Sequence, residues 1–508
     1  WGPHAAVQKR VPSERVPWNP GDGAGGGAGG GKVGKAWGSD QMAAADEYSK
    51  LVRTRESMAQ SRMYHMRRLN NCIKAAVIDS GAAQAASQVK SQGGLRVLDL
   101  ACGKAGDFGK WLKATNKPRR GRQGRGSMAR YVGVDIALGS LKDAEGRVTE
   151  ALANHQARSR GGSGTPSVRL ALVNLGETAM HETPAQVWES TAPQWRSEAS
   201  LLKQLDGPFD IASMQFAIHY MFQDLSRART FFRDLSSWLQ VGGVFLATTV
   251  DARVLLELLM TSAKAQSAPV QGGGGGEQWC VRIMDPRPED ESLTAKARLE
   301  RLQRLERLQE RRAQAAPEPF EETEGKGEED GPKALCTITF DDEVYRRLLK
   351  PSGGHRPHAR QSPGGSSLSE AELAEMIGLR YLFRLNDSDD AAAVNAPEWI
   401  VPLPLLEHLA GEVGLKLDFA LNFQEYLARG RRWDGAGWVS PAIGESDLRG
   451  SKALNHMGSL SEPEWSIARL YQVLQFTKKS PAAPGPASPG SAASGSGASG
   501  LAASDGSL

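Results

Sequence analysis

The chain has 508 residues, a formal net charge of +4, 57 glycines and 4 cysteines. Much of the glycine lies in blocks with too few apolar side chains to offset the entropy of ordering them, so the composition excludes a fully ordered chain and leaves one domain of about 250 to 300 residues with insertions. Cys72, Cys102, Cys280 and Cys336 stand far apart with no C-x-x-C pair, which suggests neither a zinc cluster nor a disulfide framework and suits a reducing compartment.

No apolar run reaches the roughly 18 residues that cross a bilayer, and the N-terminus lacks the basic-then-apolar order of a secretory signal. The sequence therefore predicts a soluble, intracellular protein without membrane contact. Its first residue, Trp1, implies a fragment of a longer product. Residues 1–45, with "GDGAGGGAGGG" at 21–31, read as a disordered segment. Within "SRMYHMRRLNNCIKAAVIDS" (61–80), Met63, Met66, Leu69, Ile73 and Val77 recur at spacings of three and four, which predicts an amphipathic helix. "LRVLDLA" then predicts a buried parallel strand, followed by a glycine-bearing turn and a helix that turns Phe108, Trp111 and Leu112 inward. The stretch 116–130 holds six Lys or Arg and no acid; charge alone favours a solvated arginine-glycine loop over a polyanion contact.

Further buried strands are expected at "ARYVGVDIA" (129–137), "SVRLALVNL" (167–175), "PFDIASMQFAIHY" (208–220), which runs into a helix ending near "SSWLQ", and "VGGVFLATTV" (241–250). Strands alternating with helices imply an α/β fold with a doubly wound, mostly parallel sheet and ligands at the carboxyl ends of its strands. A first core part at 46–261 is followed by a low-complexity insertion at 262–334, which contains "QGGGGGEQ" and the repeated hexad "RLERLQ" at 298–303 and 304–309. Leucines every three residues drift around a helix, so a solvated helix or disorder is expected there, not a coiled coil. A second core part at 335–479, with a disordered loop near 350–367, adds a helix and antiparallel edge strands. Residues 480–508 read as a disordered tail.

The first turn, D-L-A-C-G-K-A-G-D, is not the G-x-G-x-x-G of dinucleotide enzymes. Asp99 at the end of the first strand would repel a pyrophosphate, whereas an adenosyl ligand carrying a sulfonium and an ammonium tolerates it. Asp135 at the end of the second strand can accept from both ribose hydroxyls. S-adenosylmethionine is such a ligand; the plainer alternative is that Asp99 only caps the next helix.

The remaining motifs are more specific. "LNNCIKAAVI", "VLDLACGKAGD", "YVGVDIA", "FDIASMQFAIHYMF", "GGVFLATT", "GLRYLFRL", "PEWIVPLPLLEHLAGEVGLKL" and "EWSIARLYQVLQF", in this order, resemble the eukaryotic mRNA cap guanine-N7 methyltransferase family over about 61–250 and 334–479. The resemblance implies a class I, Rossmann-like fold that transfers a methyl group from S-adenosylmethionine to N7 of the terminal guanine of GpppN-capped RNA. It implies no catalytic base and no metal. Lys74, Asp99, Ala101, Asp135, Asn174, Gln215 and Tyr220 are then expected around the cofactor. Asn70, Asn71, Lys104, Lys110, Arg147, His219, Glu398 and Tyr471 are expected around the cap. In these roles Glu398 offers two acceptors to the Watson–Crick edge of guanine, and Lys104, Lys110 and Arg147 suit a triphosphate bridge. The same resemblance implies a nuclear location and contact with capping or transcription machinery. Three positions depart from the family pattern. Ala101 and Ala105 stand where glycine is usual and would crowd the cofactor turn; Asn174 replaces an acid. These departures motivate one alternative, a catalytically silent cap-binding scaffold; a same-fold enzyme acting on a small molecule is the other.

Overall fold

The computed structural model describes residues 61–88, 93–115, 127–158, 164–177, 185–198, 208–265, 270–271, 277–284, 334–349, 368–386, 392–433 and 437–480. The expectations for 1–45, for most of the arginine-glycine stretch, for the hexad repeat, for 350–367 and for the tail after 480 lie outside the described residues.

Helix α1 (Tyr64–Gln88) buries Met66, Leu69, Ile73 and Val77, the residues whose spacing predicts it, and runs past the expected end at residue 80. The core continues with β1 (Leu95–Leu100), α2 (Phe108–Thr115), β2 (Met128–Asp135), α3 (Leu138–Arg158) and β3 (Ser167–Leu172). A hairpin that the sequence does not signal comes after β3, formed by β4 (Ala185–Glu189) and β5 (Ala192–Glu198). Next come β6 (Phe209–Gln215), a single 3-10 turn (Ile218–Phe222), α4 (Leu225–Trp238), β7 (Leu239–Val250) and α5 (Ala252–Ala265). The second part holds β8 (Val270–Gln271), β9 (Glu277–Met284), β10 (Ala334–Asp341), α6 (Asp342–Leu349), α7 (Glu370–Met376), β11 (Arg380–Asn386), β12 (Ala392–Trp399) and α8 (Leu403–Glu412). The chain closes with β13 (Leu415–Asn422), α9 (Phe423–Arg429), a short hairpin β14 (Arg432–Trp433) and β15 (Trp438–Val439), α10 (Glu445–Gly450), α11 (Glu462–Ala468) and β16 (Tyr471–Lys478).

Nine strands form one sheet in the order β13-β16-β7-β6-β1-β2-β3-β4-β5. The five central strands are parallel, β3 to β2 to β1 to β6 to β7, while β16 and β13 add antiparallel on one side and the β4–β5 hairpin on the other. The antiparallel addition of β16 and the edge strand β13 beside the parallel core agrees with the sequence expectation. Alternation along the strands sends Val97, Tyr131 and Leu246 to the face covered by α1, α2 and α3, and Leu98, Val132 and Phe245 to the face covered by α4, α7 and α8. Truncating a side chain as large as the fully buried Trp111 to alanine would cost about 3–5 kcal/mol.

Strands β12-β11-β10-β9-β8 form a second, wholly antiparallel sheet. This corrects the assignment of 262–334 as an insertion outside the core. β9 pairs with β10 from Met284↔Ala334 to Gln278↔Asp341, and Val281 is buried among core residues. The glycine block hides β9, because its "EQWCVRIM" is short and comes directly after five glycines.

Candidate active site

Parallel register sets the ends of β1, β2, β3 and β6 side by side, with Asp99 opposite Gly133 and Ser213, and Asp135 opposite Leu172. A cavity of about 690 Å³ opens across these ends, within the size range of small-molecule sites. It is lined by Lys74, Asp99, Ala101, Asp135, Asn174, Gln215 and Tyr220 from the expected cofactor group. Asn70, Asn71, Lys104, Arg147, His219, Glu398 and Tyr471 from the expected cap group line it too. Residues more than 400 positions apart in sequence thus share one cleft.

The turn after β1 is held by Asp135. Its Oδ2 accepts from the Gly103 amide at 2.7 Å and its Oδ1 from the Ala137 amide at 2.8 Å. Burial pushes the Asp135 carboxyl up, and these amides oppose the shift. Ala101, Gly103 and Ala105 all adopt left-handed backbone, with φ of 51°, 52° and 52°. Of the two alanine methyl groups, one faces the cavity and the other does not. Ala101 lines the cavity, whereas Ala105 is buried in the core against the α1–α2 side. A side chain built at Gly103 would meet nothing within 4 Å, so the turn leaves its ligand side open.

Asp99 is buried and accepts from the Tyr131 hydroxyl at 2.7 Å. Burial, and then the charge of Asp107, push its carboxyl up to about 7. A cationic group beside it would restore ionisation. This donor set fits S-adenosylmethionine: open turn, ribose acceptor at Asp135, and a buried acid that lacks a full counter-charge. Asn174 is braced from both sides, its Oδ1 accepting from Arg227 at 3.2 Å and its amide donating to Glu177. The Gln215 side chain accepts from Thr248 at 3.2 Å and donates to Ser213 at 3.1 Å.

Lys110 does not line the cavity. It lies one turn along α2 from Asp107, and its Nζ turns back to Asp107 Oδ1 at 2.6 Å, while Lys74 reaches the same carboxylate at 2.9 and 3.0 Å. Burial acts to raise Asp107, but the two ammonium groups prevail and hold it at about 2. The structure thus places Lys110 on Asp107 and off the cavity wall. Lys104 does line the cavity, paired with Asp143 at 2.7 Å.

The other half of the cleft centres on Glu398. β11 and β12 pair Tyr381 with Glu398, and the Tyr381 hydroxyl donates to Oε2 at 2.7 Å. Oε1 lies 3.6 Å from Nε2 of His219. Burial pushes Glu398 up to about 7 and His219 down to about 3, so this contact is no ion pair. Among the described atoms neither ring nitrogen of His219 nor the buried Asn70 Oδ1 has a hydrogen-bond partner. The Tyr220 ring packs on His219 at 4.3 Å between centroids, and Tyr471 meets Phe216 edge-on at 5.0 Å. Phe216 itself has φ of 58°, its amide donating to the backbone and side chain of Thr248. Asp107, Phe216, Tyr381, Phe383 and Leu385 are site residues that the sequence motifs do not single out. Only Asp107 gives a signal there, as an acid three residues before a lysine. Among the described residues no group of three or more His, Cys, Asp or Glu is arranged to hold a metal ion.

A central parallel sheet extended by two antiparallel strands, with acids at the ends of its first two strands and no dinucleotide glycine pattern between them, defines a class I, Rossmann-like S-adenosylmethionine-dependent methyltransferase. The chain belongs to the family described as the mRNA (guanine-N(7))-methyltransferase domain, whose sequence model matches residues 35–269 and 366–479. It is 27% identical over 428 residues to mRNA cap guanine-N(7) methyltransferase 1 of Arabidopsis thaliana, covering 84% of this chain and 78% of the relative. It is likewise 27% identical over 443 residues to the protein of that name in Oryza sativa subsp. japonica, covering 87% and 82%. A solved S-adenosylmethionine-dependent methyltransferase from Clostridium acetobutylicum matches at 9% identity and a TM-score of 0.30, covering 82% of this chain and 92% of the other.

Proposed function

We propose that this chain methylates N7 of the terminal guanine of GpppN-capped RNA, with the two ligands meeting in this single cleft. The carrying observation is that a buried carboxylate, Glu398, faces the same cavity as the open turn and Asp135. When bound, S-adenosylmethionine supplies an electrophilic methyl on a sulfonium, which the unprotonated N7 lone pair of guanine can take without any proton being moved. The chain's task is then orientation, which can contribute about 7–11 kcal/mol. Asp135 and the turn hold the ribose side of the donor. Asp99 stands beside its cationic end. Glu398 accepts from the ring N1–H and exocyclic amine of guanine and stabilises the ring as it gains positive charge. Neutral His219 and the Tyr220 ring pack beside the base, Asn70 Oδ1 offers an unused acceptor, and Lys104 with Arg147 takes the phosphates.

The test is methylation of GpppG-capped RNA by the purified chain, with ApppG-capped RNA as control. Methyl transfer confined to the guanine cap supports the reading, and equal transfer to both would sink it. Separate titrations with S-adenosylmethionine and a GpppN dinucleotide distinguish the alternatives: a silent scaffold binds only the cap, and a small-molecule enzyme only the donor. A nuclear location and contact with capping or transcription machinery complete the proposal, supported by the substrate alone. A fluorescent fusion of the full gene product excluded from the nucleus would remove that part.

A further inference from the structure

Helix α1 brings Asn70, Asn71 and Lys74 to the cleft, yet its first turn contains no acidic residue to meet its amides. The missing acceptor comes from 398 positions further along the chain, where Glu464 Oε1 accepts from the Met66 amide at 3.0 Å. Glu464 is only 4% exposed. Its other oxygen accepts from the Ser461 hydroxyl at 2.8 Å and amide at 3.3 Å, completing the capping box of α11. One buried carboxylate therefore closes the N-termini of two helices. Tyr471, which lines the cleft, comes almost directly after α11, and Asp251 at the end of β7 donates its amide to Leu470 O at 2.6 Å. Two further ties hold the start of α1 to the residues just after α10: Arg68 Nε donates to Ser451 O at 2.6 Å, and His65 Nδ1 lies 3.2 Å from Lys452 O.

We propose that Glu464 is a positioning residue for the cap, fixing the axial placement of α1 and with it the angle at which Asn70 and Asn71 face the guanine half of the cleft. The two ends of this face are anchored differently. Lys74 is held from the opposite side by Asp107, which sits on the cofactor turn. Among the described residues Asn70 Oδ1 has no hydrogen-bond partner, and the Asn71 side-chain amide donates within the helix, to Arg67 O at 3.0 Å. A loosened first turn should therefore disturb the asparagines while leaving Lys74 in place. A cap that served stability alone would lower the melting temperature and leave the balance between the two substrates unchanged.

The inference rests on the cap-methylation reading and is tested in the full chain with Glu464→Ala, Glu464→Gln and Glu464→Asp. Losing a helix cap corresponds to about 5- to 10-fold. Glu464→Ala is expected to raise KM for capped RNA by that factor, with KM for S-adenosylmethionine within about twofold. Glu464→Gln keeps an acceptor for Met66 while its NH2 meets the Ser461 amide, so it should weaken the α11 capping box yet leave both KM values near the parent. Amide hydrogen exchange over 64–70 should quicken in Glu464→Ala and Glu464→Asp but little in Glu464→Gln; exchange can be read even in a variant of low activity. Unchanged exchange over 64–70, or a KM effect shared equally by both substrates, overturns the proposal. Failure of the parent chain to methylate capped RNA instead overturns the underlying function, so the two failures are separable.

Discussion

Replacing Glu398 by glutamine sets function against stability in one substitution. The Tyr381 hydroxyl can keep its acceptor on the amide oxygen, which leaves an NH2 group toward His219 and the cleft. A guanine presenting N1–H and an amine then meets a donor with donors, and a buried unpaired group costs about 1–3 kcal/mol, or about 5- to 150-fold in cap affinity or turnover. Folding should move the other way. The Glu398 carboxyl is raised from 4.5 to about 7 by burial, with Tyr381 opposing. The native state therefore holds its proton over a range where the unfolded chain has lost it. The stability linked to that proton is fully present below about pH 4.5 and is lost as pH rises through about 7, a loss of roughly 3 kcal/mol by pH 8. Glutamine does not titrate. Thermal melts of parent and Glu398→Gln from pH 5 to 8 should show the variant gaining on the parent as pH rises, while methylation of GpppG-capped RNA falls and discrimination against an inosine cap weakens. A melting difference independent of pH, together with parent-like methylation of both caps, would refute the burial argument and the guanine-reading role at once.

Asp135→Ala should weaken S-adenosylmethionine binding by about 10- to 150-fold in calorimetry, since an ionised acceptor is lost. It should also lower the melting temperature, because the Gly103 and Ala137 amides lose their partner; an unchanged affinity would remove Asp135 from the ribose site. Ala101→Gly should raise stability by about 0.5–1 kcal/mol, the left-handed cost of about 1–2 less the extra freedom of unfolded glycine. Destabilisation in urea titrations would show that the Ala101 backbone is not strained. Replacing 285–333 by a short Gly/Asn turn should preserve methyl transfer, because Met284 and Ala334 are paired neighbours. Removing 262–334 instead takes β8 and β9 away from β10, and equal activity of the two deletions would count against the second sheet as part of the fold.

The parallel core is legible because its strands are short apolar-rich runs alternating with helical stretches, and the strand-end rule makes Asp99 and Asp135 cavity residues without any knowledge of geometry. The outlying elements are not legible in the same way. "AQVWE" and "APQWRSE" mix charge with aromatics over five and seven residues and become strands only by pairing with β3 and with each other. Side-chain direction is the other blind point. Lys110 is close in sequence to the cofactor turn, but the pull of Asp107 on an ammonium one helical turn away decides where it points. Likewise Tyr381 becomes the partner of Glu398 through the register of β11 and β12, a property of pairing that neither strand states alone.

The bond from Gly103 to Asp135 has a consequence for competition among adenine nucleotides. In many nucleotide folds the amides of such a turn receive a phosphate. Here the Gly103 amide is taken by a carboxylate at 2.7 Å, so the turn carries its own resident anion. ATP shares the adenosine portion of the methyl donor, yet on the proposed reading its phosphates would find the Gly103 amide already taken, with Lys104 and Arg147 as the cations nearby. A ligand with a neutral ribose and a cationic tail meets no such opposition. On the proposed reading, the turn therefore favours an adenosine compound with a cationic tail over one that needs the Gly103 amide for a phosphate.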